Sequence, residues 1–183
     1  MVDVYIDPTA IVSEKAIIGR GTKIWHHCQV REDAVIGADC ILGKGVYIDR
    51  EVRIGNSCKI QNYACLYRGV KIGDHVFIGP HTTFTNDLYP RSHLWSEDRL
   101  VQTEVKKGAS IGANATILCG ITIGAHAMIG AGSVVTRDVP DHVLVAGNPA
   151  LFVKYVCVCG HPLHGSGPEW VCPVCKKTIV VNP

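Results

Sequence analysis

Two close pairs of cysteines near the end of the 183-residue chain have the residue type and spacing of a metal site. Four thiolates can surround a zinc ion tetrahedrally at about 2.3 Å, and such a site is structural because it leaves no open position. The spacing therefore predicts a zinc ribbon held by Cys157, Cys159, Cys172 and Cys175. Because the first pair has a one-residue spacer instead of the usual two, His161 or His164 in place of one cysteine is an alternative. Four free thiols are the other interpretation.

A second group of functional side chains is concentrated in residues 85–104. An idle surface insertion is usually rich in small polar residues, whereas this segment contains Asn86, Asp87, Tyr89, Arg91 and His93. A guanidinium can bind two phosphate oxygens at once, so Arg91 suits a phosphorylated ligand. We therefore interpret the segment as a binding or catalytic loop on a rigid scaffold.

The segments on both sides of this loop repeat every six residues. A large apolar residue recurs from Ile6 to Phe84 without a polar exception, and the series resumes from Val105 to Val135. A small or β-branched residue follows four positions after each large one. A period of six fits neither a helix nor a flat alternating strand, but it fits a short strand plus a turn as one wall of a solenoid. Three walls make one coil of eighteen residues, so the hexads predict a little over six coils.

The repeat predicts an all-β fold in two parts. Residues 1–150 would form a triangular prism with the large residues stacked inside at about 4.8 Å per coil, and residues 151–183 a cysteine-rich tail. Cys28, Cys40 and Cys58 fall in the small inward layer and should act as compact apolar fillers. A β-sandwich would instead need turn-rich spacers at intervals of 8 to 12 residues.

Composition limits the classes of partner. The net charge is +2, the pI is about 8.1, and the basic residues are scattered, which does not favour nucleic acid or an anionic membrane as partner. No apolar run reaches the roughly 18 residues of a membrane span, and residues 1–5 do not begin a secretion signal. We expect a cytoplasmic protein with reduced thiols, in agreement with its odd number of nine cysteines.

The hexads resemble those of the hexapeptide-repeat acyltransferases, and this resemblance implies that the solenoid is a left-handed parallel β-helix, a hand that is otherwise rare between parallel strands. Residues 79–92, GPHTTFTNDLYPRS, are similar to the G-P-x-x-x-F-T-N-x-x-x-P-R-S signature of the 3-amino-sugar nucleotide N-acetyltransferases. Residues 24–25, 59–62, 105–109 and 117–120 are also similar to that group. The resemblance covers about residues 3 to 150.

The resemblance implies acetyl transfer from acetyl-CoA to the 3-amino group of UDP-2-acetamido-3-amino-2,3-dideoxy-glucuronate, for surface polysaccharide synthesis. The alternative substrates are dTDP-linked 3-amino-dideoxyhexoses. Asn86 would position the attacking amine, and no protein base is obligatory because the departing thiolate can collect the proton. The sugar nucleotide would contact Trp25, His26, His27, Arg31, Gln61, Asn62, Tyr67, Asp87, Tyr89 and Arg91, of which Gln61 and Asn62 favour the glucuronate.

The same resemblance implies a homotrimer with its active sites between neighbouring subunits and CoA along the later coils. Small outward residues would allow the pantetheine arm to approach backbone amides. Relatives often have a basic residue that meets a CoA phosphate at the place of Leu151, so Lys154 is the nearest candidate for that contact in this chain. The CoA contacts would be Gly112, Ala113, Gly130, Ala131, Ser133, Gly147, Pro149 and Lys154.

Three other functions are alternatives. An O-acetyltransferase would use a loop histidine as its base, and His81 and His93 are the candidates. A γ-type carbonic anhydrase needs two histidines five residues apart on one segment; this chain lacks that pair, and its hexad histidines His75, His81 and His126 fall at an exposed position. A non-catalytic β-helix scaffold would leave the loop around Asn86 without a purpose.

Overall fold

The computed structural model describes residues 3–94 and 96–181, in which a single short pattern of strand and turn recurs from Tyr5 onward. Most strands are two residues long because a turn follows at once. In chain order they are β1 (Tyr5–Ile6), β2 (Ile11–Val12), β3 (Ile17–Ile18), β4 (Lys23–Ile24), β5 (Gln29–Val30), β6 (Val35–Ile36), β7 (Ile41–Leu42), β8 (Tyr47–Ile48), β9 (Arg53–Ile54), β10 (Lys59–Ile60), β11 (Cys65–Leu66), β12 (Val70–Ile72), β13 (Phe77–Ile78), β14 (Thr83–Phe84), β15 (Thr103–Val105), β16 (Ser110–Ile111), β17 (Thr116–Ile117), β18 (Thr122–Ile123), β19 (Met128–Ile129), β20 (Val134–Val135) and β21 (Val143–Ala146).

These strands form the three walls of a prism. From β1 to β17, each strand pairs in parallel with the third strand after it, which is eighteen residues away outside the loop, as in Tyr5 with Lys23, and β19 pairs with β21 at the end of the prism. Face 1 contains β1, β4, β7, β10, β13, β16, β19 and β21; face 2 contains β2, β5, β8, β11, β14, β17 and β20; face 3 contains β3, β6, β9, β12, β15 and β18. The predicted parallel β-helix is therefore confirmed.

The core is built from residues in register on successive coils. On face 1, Ile24, Leu42, Ile60 and Ile78 are aligned one above another, and each is fully buried. Burial of such a side chain contributes about 1.5–3 kcal/mol, so the stack stabilises every coil by the same means. The predicted inner layer of small residues is also buried, including Cys28, Cys40 and Cys58.

Close contact between coils explains one column of glycines. A Cβ added to Gly37 would lie 2.6 Å from the backbone of Gly55, one coil further along. A Cβ added to Gly55 would likewise lie 2.7 Å from the backbone of Gly73. Glycine at this corner is therefore required by the spacing between coils.

The coil count was predicted too low. Face 1 has eight parallel strands, because β21 continues it beyond Val135, where the hexad series ends. The spacing between β20 and β21 is longer than in a hexad, and an isolated bridge joins Ile123 to Val139 in between. The strand β22 (Leu151–Tyr155) then pairs antiparallel with β21, so the first residues of the predicted tail extend face 1.

The remaining residues form a small separate sheet. It consists of β23 (His164–Ser166), β24 (Glu169–Val171) and β25 (Thr178–Val180), all antiparallel. One short 3-10 helix, Glu97–Arg99, lies in the loop. Across residues 3–94 and 96–181, none of the helical structure has the length and apolar character needed to cross a membrane.

Candidate active site

The loop leaves the prism after β14 on face 2 and returns at β15 on face 3. Its 3-10 helix is fixed to the earlier coils by Glu97, whose carboxylate accepts hydrogen bonds from Arg50, at 3.2 Å, and from Arg68. Arg68 also pairs with Glu51, where Nε and Oε2 lie 2.6 Å apart. Consecutive coils thus hold the loop against their shared corner.

Inside the loop, Arg99 connects the outgoing and returning segments. Its Nε atom lies 3.2 Å from Oδ2 of Asp87, and its guanidinium also donates to the carbonyl oxygens of Tyr89 and Leu94. The Asp87 side chain is only 11% exposed. Asp87 was predicted to contact the sugar nucleotide, but its carboxylate is engaged in organising the loop. Sequence reasoning missed Arg99 because a twelve-residue separation within a loop carries no periodic signal.

Asn86 lies where the two loop segments meet. Its backbone oxygen accepts a hydrogen bond from the amide of Val101 at 3.2 Å, and the neighbouring Thr85 hydroxyl accepts one from the amide of Cys119 at 3.0 Å. Phe84, which precedes them, is fully buried. The half-buried Asn86 carboxamide makes no hydrogen bond to another residue that the structure describes. A rigidly held backbone therefore presents a side chain that can both donate and accept.

The cleft beside this residue is small and open. It has a volume of about 240 Å³ and is lined by Asp87, Leu88, Tyr89, Asp98, Arg99 and Val101. Tyr89 is 77% exposed, and the Arg91 guanidinium donates only to the carbonyl of Pro90, at 2.8 Å, among the described residues. Pockets for drug-sized ligands usually measure about 300–1,000 Å³, so this single chain does not enclose a sugar nucleotide at this place.

The structure divides the predicted nucleotide contacts between two corners. Arg31 and Tyr67 follow strands of face 2, in the same column as Thr85 at the start of the loop. The remaining contacts on the coils lie in the turns between faces 1 and 2, one corner away: Trp25, His26, His27, Gln61 and Asn62. Of the predicted contacts on the coils, Arg31 and Tyr67 therefore share the corner of Asn86 within one chain.

Several of these side chains already have partners. Arg31 pairs with Glu32 at 2.8 Å, and the ring of Tyr67 lies 5.6 Å from that of Tyr47. The Oδ1 atom of Asn62 accepts the amide of Lys44 from the preceding coil at 2.9 Å. Asn62 therefore joins adjacent coils, which is a structural role that its spacing alone did not reveal.

An unpredicted carboxylate orients His26. The Nε2 atom of His26 lies 3.2 Å from Oδ2 of Asp7, and the ring of Trp25 is nearly parallel to the imidazole at 6.2 Å. Asp7 is buried, and hydrogen bonds from the hydroxyl and amide of Thr9 hold its pKa below the usual range. This firmly ionised carboxylate fixes one side of an imidazole whose other side faces solvent.

The predicted CoA contacts form a line along the corner between faces 1 and 2. Gly112–Ala113, Gly130–Ala131 and Gly147–Pro149 follow β16, β19 and β21 on successive coils. Ser133 differs, because it is fully buried and its hydroxyl accepts the amide of Gly147 at 3.2 Å. Its predicted outward position is wrong. Lys154 lies on β22, opposite Leu144.

The hexad histidines do not form a cluster. His75 and His81 are exposed, as expected, but His126 is half-buried, and its ring lies 5.2 Å from that of His142. Burial lowers the pKa of His126. The prediction that His126 is exposed is wrong because His142, beyond the last hexad, covers it.

The four tail cysteines come together as the spacing predicts. Their sulfur atoms all lie within 4.8 Å of one another, and the closest pairs are Cys157–Cys175 at 3.4 Å and Cys159–Cys172 at 3.5 Å. Sulfur atoms around a tetrahedral zinc ion at about 2.3 Å are about 3.8 Å apart, so the arrangement fits this ion. The amide of Cys175 points at Sγ of Cys172 and lowers the pKa of that thiol to about 6. His161 lies outside the group, 3.6 Å from Cys159.

Three stretches of the chain, residues 15–50, 51–86 and 102–137, match the family model of the bacterial transferase hexapeptide with six repeats. They cover more than half of the chain. The chain belongs to this family. The repeats of the family fit a left-handed β-helix, which gives the hand of the coil. The match ends at Asn86 and resumes at Gln102, so nearly the whole loop lies outside the common repeat.

Among curated relatives, a dTDP-3-amino-3,6-dideoxy-alpha-D-galactopyranose 3-N-acetyltransferase from Aneurinibacillus thermoaerophilus is 54% identical over 76 residues, which are 42% of this chain and 40% of that protein. A galactoside O-acetyltransferase from Escherichia coli K12 is 36% identical over 90 residues, 48% and 44% of the two chains. The chain thus spans less than half of the length of these relatives.

A solved structure supports the same fold. A point mutant of perosamine N-acetyltransferase from Caulobacter crescentus, in complex with CoA and GDP-perosamine, has a TM-score of 0.55 and 27% sequence identity. The similarity covers 84% of this chain and 57% of that protein. This chain therefore shares its coil with a protein whose structure contains both CoA and GDP-perosamine.

Proposed function

We propose that the protein is an acetyl-CoA-dependent N-acetyltransferase that acts on the 3-amino group of a nucleotide-linked amino sugar. The observation that carries the proposal is Asn86, whose carboxamide has no partner among the described residues although its backbone is held by the returning loop segment. The 54% identity to a 3-N-acetyltransferase and the CoA-bound structural relative support the same reaction class.

In the proposed reaction the sugar amine attacks the thioester carbonyl. A C–N bond forms, the C–S bond breaks, and the departing thiolate takes up the proton that the nitrogen loses. Asn86 accepts a hydrogen bond from the amine and holds it at about 3–3.5 Å from the carbonyl carbon. Positioning supplies most of the acceleration, because an amine needs no strong base to react.

Two sugar nucleotides are candidates. Gln61 and Asn62 lead us to propose UDP-2-acetamido-3-amino-2,3-dideoxy-glucuronate, for surface polysaccharide synthesis. A dTDP-linked 3-amino-dideoxyhexose is the second candidate, favoured by the identity to the Aneurinibacillus enzyme. The Oδ1 atom of Asn62 already accepts the amide of Lys44, so Gln61 is the stronger of these two arguments for the glucuronate.

The proposed assembly is a homotrimer in which each site lies between two subunits. One chain leaves the 240 Å³ cleft open and places Trp25, His26 and His27 one corner away from Asn86. A neighbouring copy that presents its corner between faces 1 and 2 to this loop would complete the site. Sedimentation should therefore give about three times the chain mass of 19.8 kDa. An active species with the mass of one chain would contradict the shared site.

The proposed location is the cytoplasm, where acetyl-CoA and sugar nucleotides are made, with neither nucleic acid nor membrane as partner. The metal in this proposal is one structural zinc ion per chain, held by Cys157, Cys159, Cys172 and Cys175. Such an ion would take no part in acetyl transfer, because four thiolates leave it no open position.

The decisive experiment incubates the protein with acetyl-CoA and a panel of UDP- and dTDP-linked 3-amino sugars while free thiol is measured. Thiol release with a 3-amino sugar, but not with the matching 3-hydroxy sugar, is expected. Release with hydroxyl acceptors that is abolished in His81→Ala or His93→Ala would favour an O-acetyltransferase instead. An intact trimer without release on any acceptor would support the scaffold interpretation.

A further inference from the structure

The tail beyond β22 has too few apolar residues to fold without help. Its core contains only four buried residues among those the structure describes, and two of them are cysteines of the four-sulfur cluster: Cys157, Leu163, Cys172 and Val181. Tyr155, Trp170 and Ile179 pack against this core as partly buried neighbours. Units of this size usually depend on a metal or on disulfides, so the order of the tail depends on its sulfur cluster.

The tail is attached to the last coil immediately before its first cysteine. The amide of Val156 donates to the backbone oxygen of His142 at 2.7 Å, and the oxygen of Val156 lies 3.0 Å from Nδ1 of His142. His142 in turn covers His126 on the coil body. Val156, which forms these contacts, is adjacent in the chain to Cys157.

The turn that carries the first cysteine pair also touches the coil. Gly160 has a positive φ of +84° and lies against Met128 on face 1, where a Cβ on Gly160 would be 3.6 Å from Cε of Met128. The amide of Gly160 donates to the oxygen of Cys157 at 2.8 Å, which closes the turn. The turn that orders two metal ligands is therefore the turn that contacts the prism.

We infer that zinc binding and docking of the tail are coupled, so that the tail is a metal-dependent cover over Met128 and the His126–His142 pair. The ion fixes the turn at residues 157–160, and this turn places Val156 on His142 and Gly160 on Met128. Loss of the ion releases the tail and leaves the coils folded. The inference rests on the proposed zinc site and is independent of acetyl transfer.

The first test is hydrogen exchange on the full chain, zinc-loaded and after treatment with a chelator. Amides of Val156, Gly160, Leu163 and Cys172 should lose protection when zinc is removed, since all four donate within the tail or to His142. Amides of Phe77 and Gly79 on the coils should keep it. Exchange at Val156 that is unchanged after zinc is removed would overturn the inference while leaving the zinc site intact. Protein that binds no zinc at all would contradict the site itself.

A second test works from the coil side and leaves every cysteine in place. Coupling is reciprocal, so Met128→Lys, which places a charge against Gly160, should weaken zinc binding about five- to tenfold in a competition with a chromogenic chelator. The matched control is Phe77→Lys, which changes the equivalent outward position of face 1 two coils earlier. Equal zinc affinity in both variants would show that docking and metal binding are separate.

Discussion

The coil body and the loop at residues 85–104 obtain their rigidity in opposite ways. In the coil, each inward side chain rests on an equivalent one eighteen residues away, as Ile60 rests between Leu42 and Ile78. In the loop, Arg99 and Glu97 make contacts that occur once, with Asp87, Arg50 and Arg68. A repeated contact stabilises the whole prism, whereas a unique contact positions a particular group. Stability and chemistry should therefore respond to different substitutions.

The largest expected effect is a loss of stability on substitution of a buried residue in the coil. Ile78→Ala removes a fully buried side chain from the middle of the face 1 stack and should lower the free energy of unfolding by about 2–5 kcal/mol, because the flanking coils cannot collapse into the cavity. Thermal or denaturant unfolding at fixed protein concentration measures this loss. The control is Phe77→Ala, the adjacent outward residue, which is 40% exposed and should cost less. Equal losses would show that the inward stack has no special weight.

Asn86→Ala should give the second largest effect, and this effect should be on activity and not on stability. Turnover should fall by two or more decades, about 2.7 kcal/mol of transition-state stabilisation, with CoA affinity and unfolding nearly unchanged. Steady-state kinetics and a CoA titration measure the two quantities. His81→Ala is the comparison, since its exposed ring lies against that of Tyr63 in the turn between faces 1 and 2, one corner away from Asn86. An equal loss in His81→Ala would contradict a mechanism without a protein base.

The coil was predictable from sequence because its pattern of buried side chains repeats every six residues. Each hexad specifies one inward large residue and one small one, so the positions of Ile24, Leu42 and Cys58 followed directly from counting. The cysteine cluster was predictable for a related reason, since metal-ligand spacing is a local pattern. Prediction failed where the period ends: β21 and His142 lie beyond Val135 and follow no hexad.

The loop was predictable in its composition but not in its contacts. Asn86 and Asp87 are neighbours with similar polar side chains, and sequence alone gave both a role toward the substrate. The structure separates them, because the Asp87 carboxylate pairs with Arg99 while the Asn86 carboxamide stays without a described partner. A contact between residues 87 and 99 depends on how the loop folds back, which no repeat or local spacing encodes.

Arg99→Lys should lower turnover moderately, because it removes contacts within the loop. An ammonium cannot reach the Asp87 carboxylate and the carbonyls of Tyr89 and Leu94 at the same time, so the loop should loosen. We expect roughly a tenfold fall in kcat with an unchanged unfolding midpoint, since misplacement of a reacting group by a fraction of an ångström costs rate and not stability. Arg20→Lys, on the exposed corner between faces 3 and 1, is the matched control. A lower midpoint without loss of rate would make Arg99 a stabilising residue only.

The smallest effect should come from a buried coil cysteine. Cys58 is fully buried, its Sγ lies 3.1 Å from the carbonyl oxygen of Gly73, and the hydrogen bond with Cys40 raises the pKa of its thiol. Cys58→Ala removes one sulfur atom from the layer of small residues, which already contains alanine at Ala34, Ala64 and Ala109, so about 1 kcal/mol of stability should be lost and turnover kept. Unfolding and thiol-release assays on the same preparation measure both. Loss of turnover in Cys58→Ala would mean that changes in the coil reach the loop. Repeated contacts would then affect chemistry as well as stability, contrary to the distinction drawn between the coil and the loop.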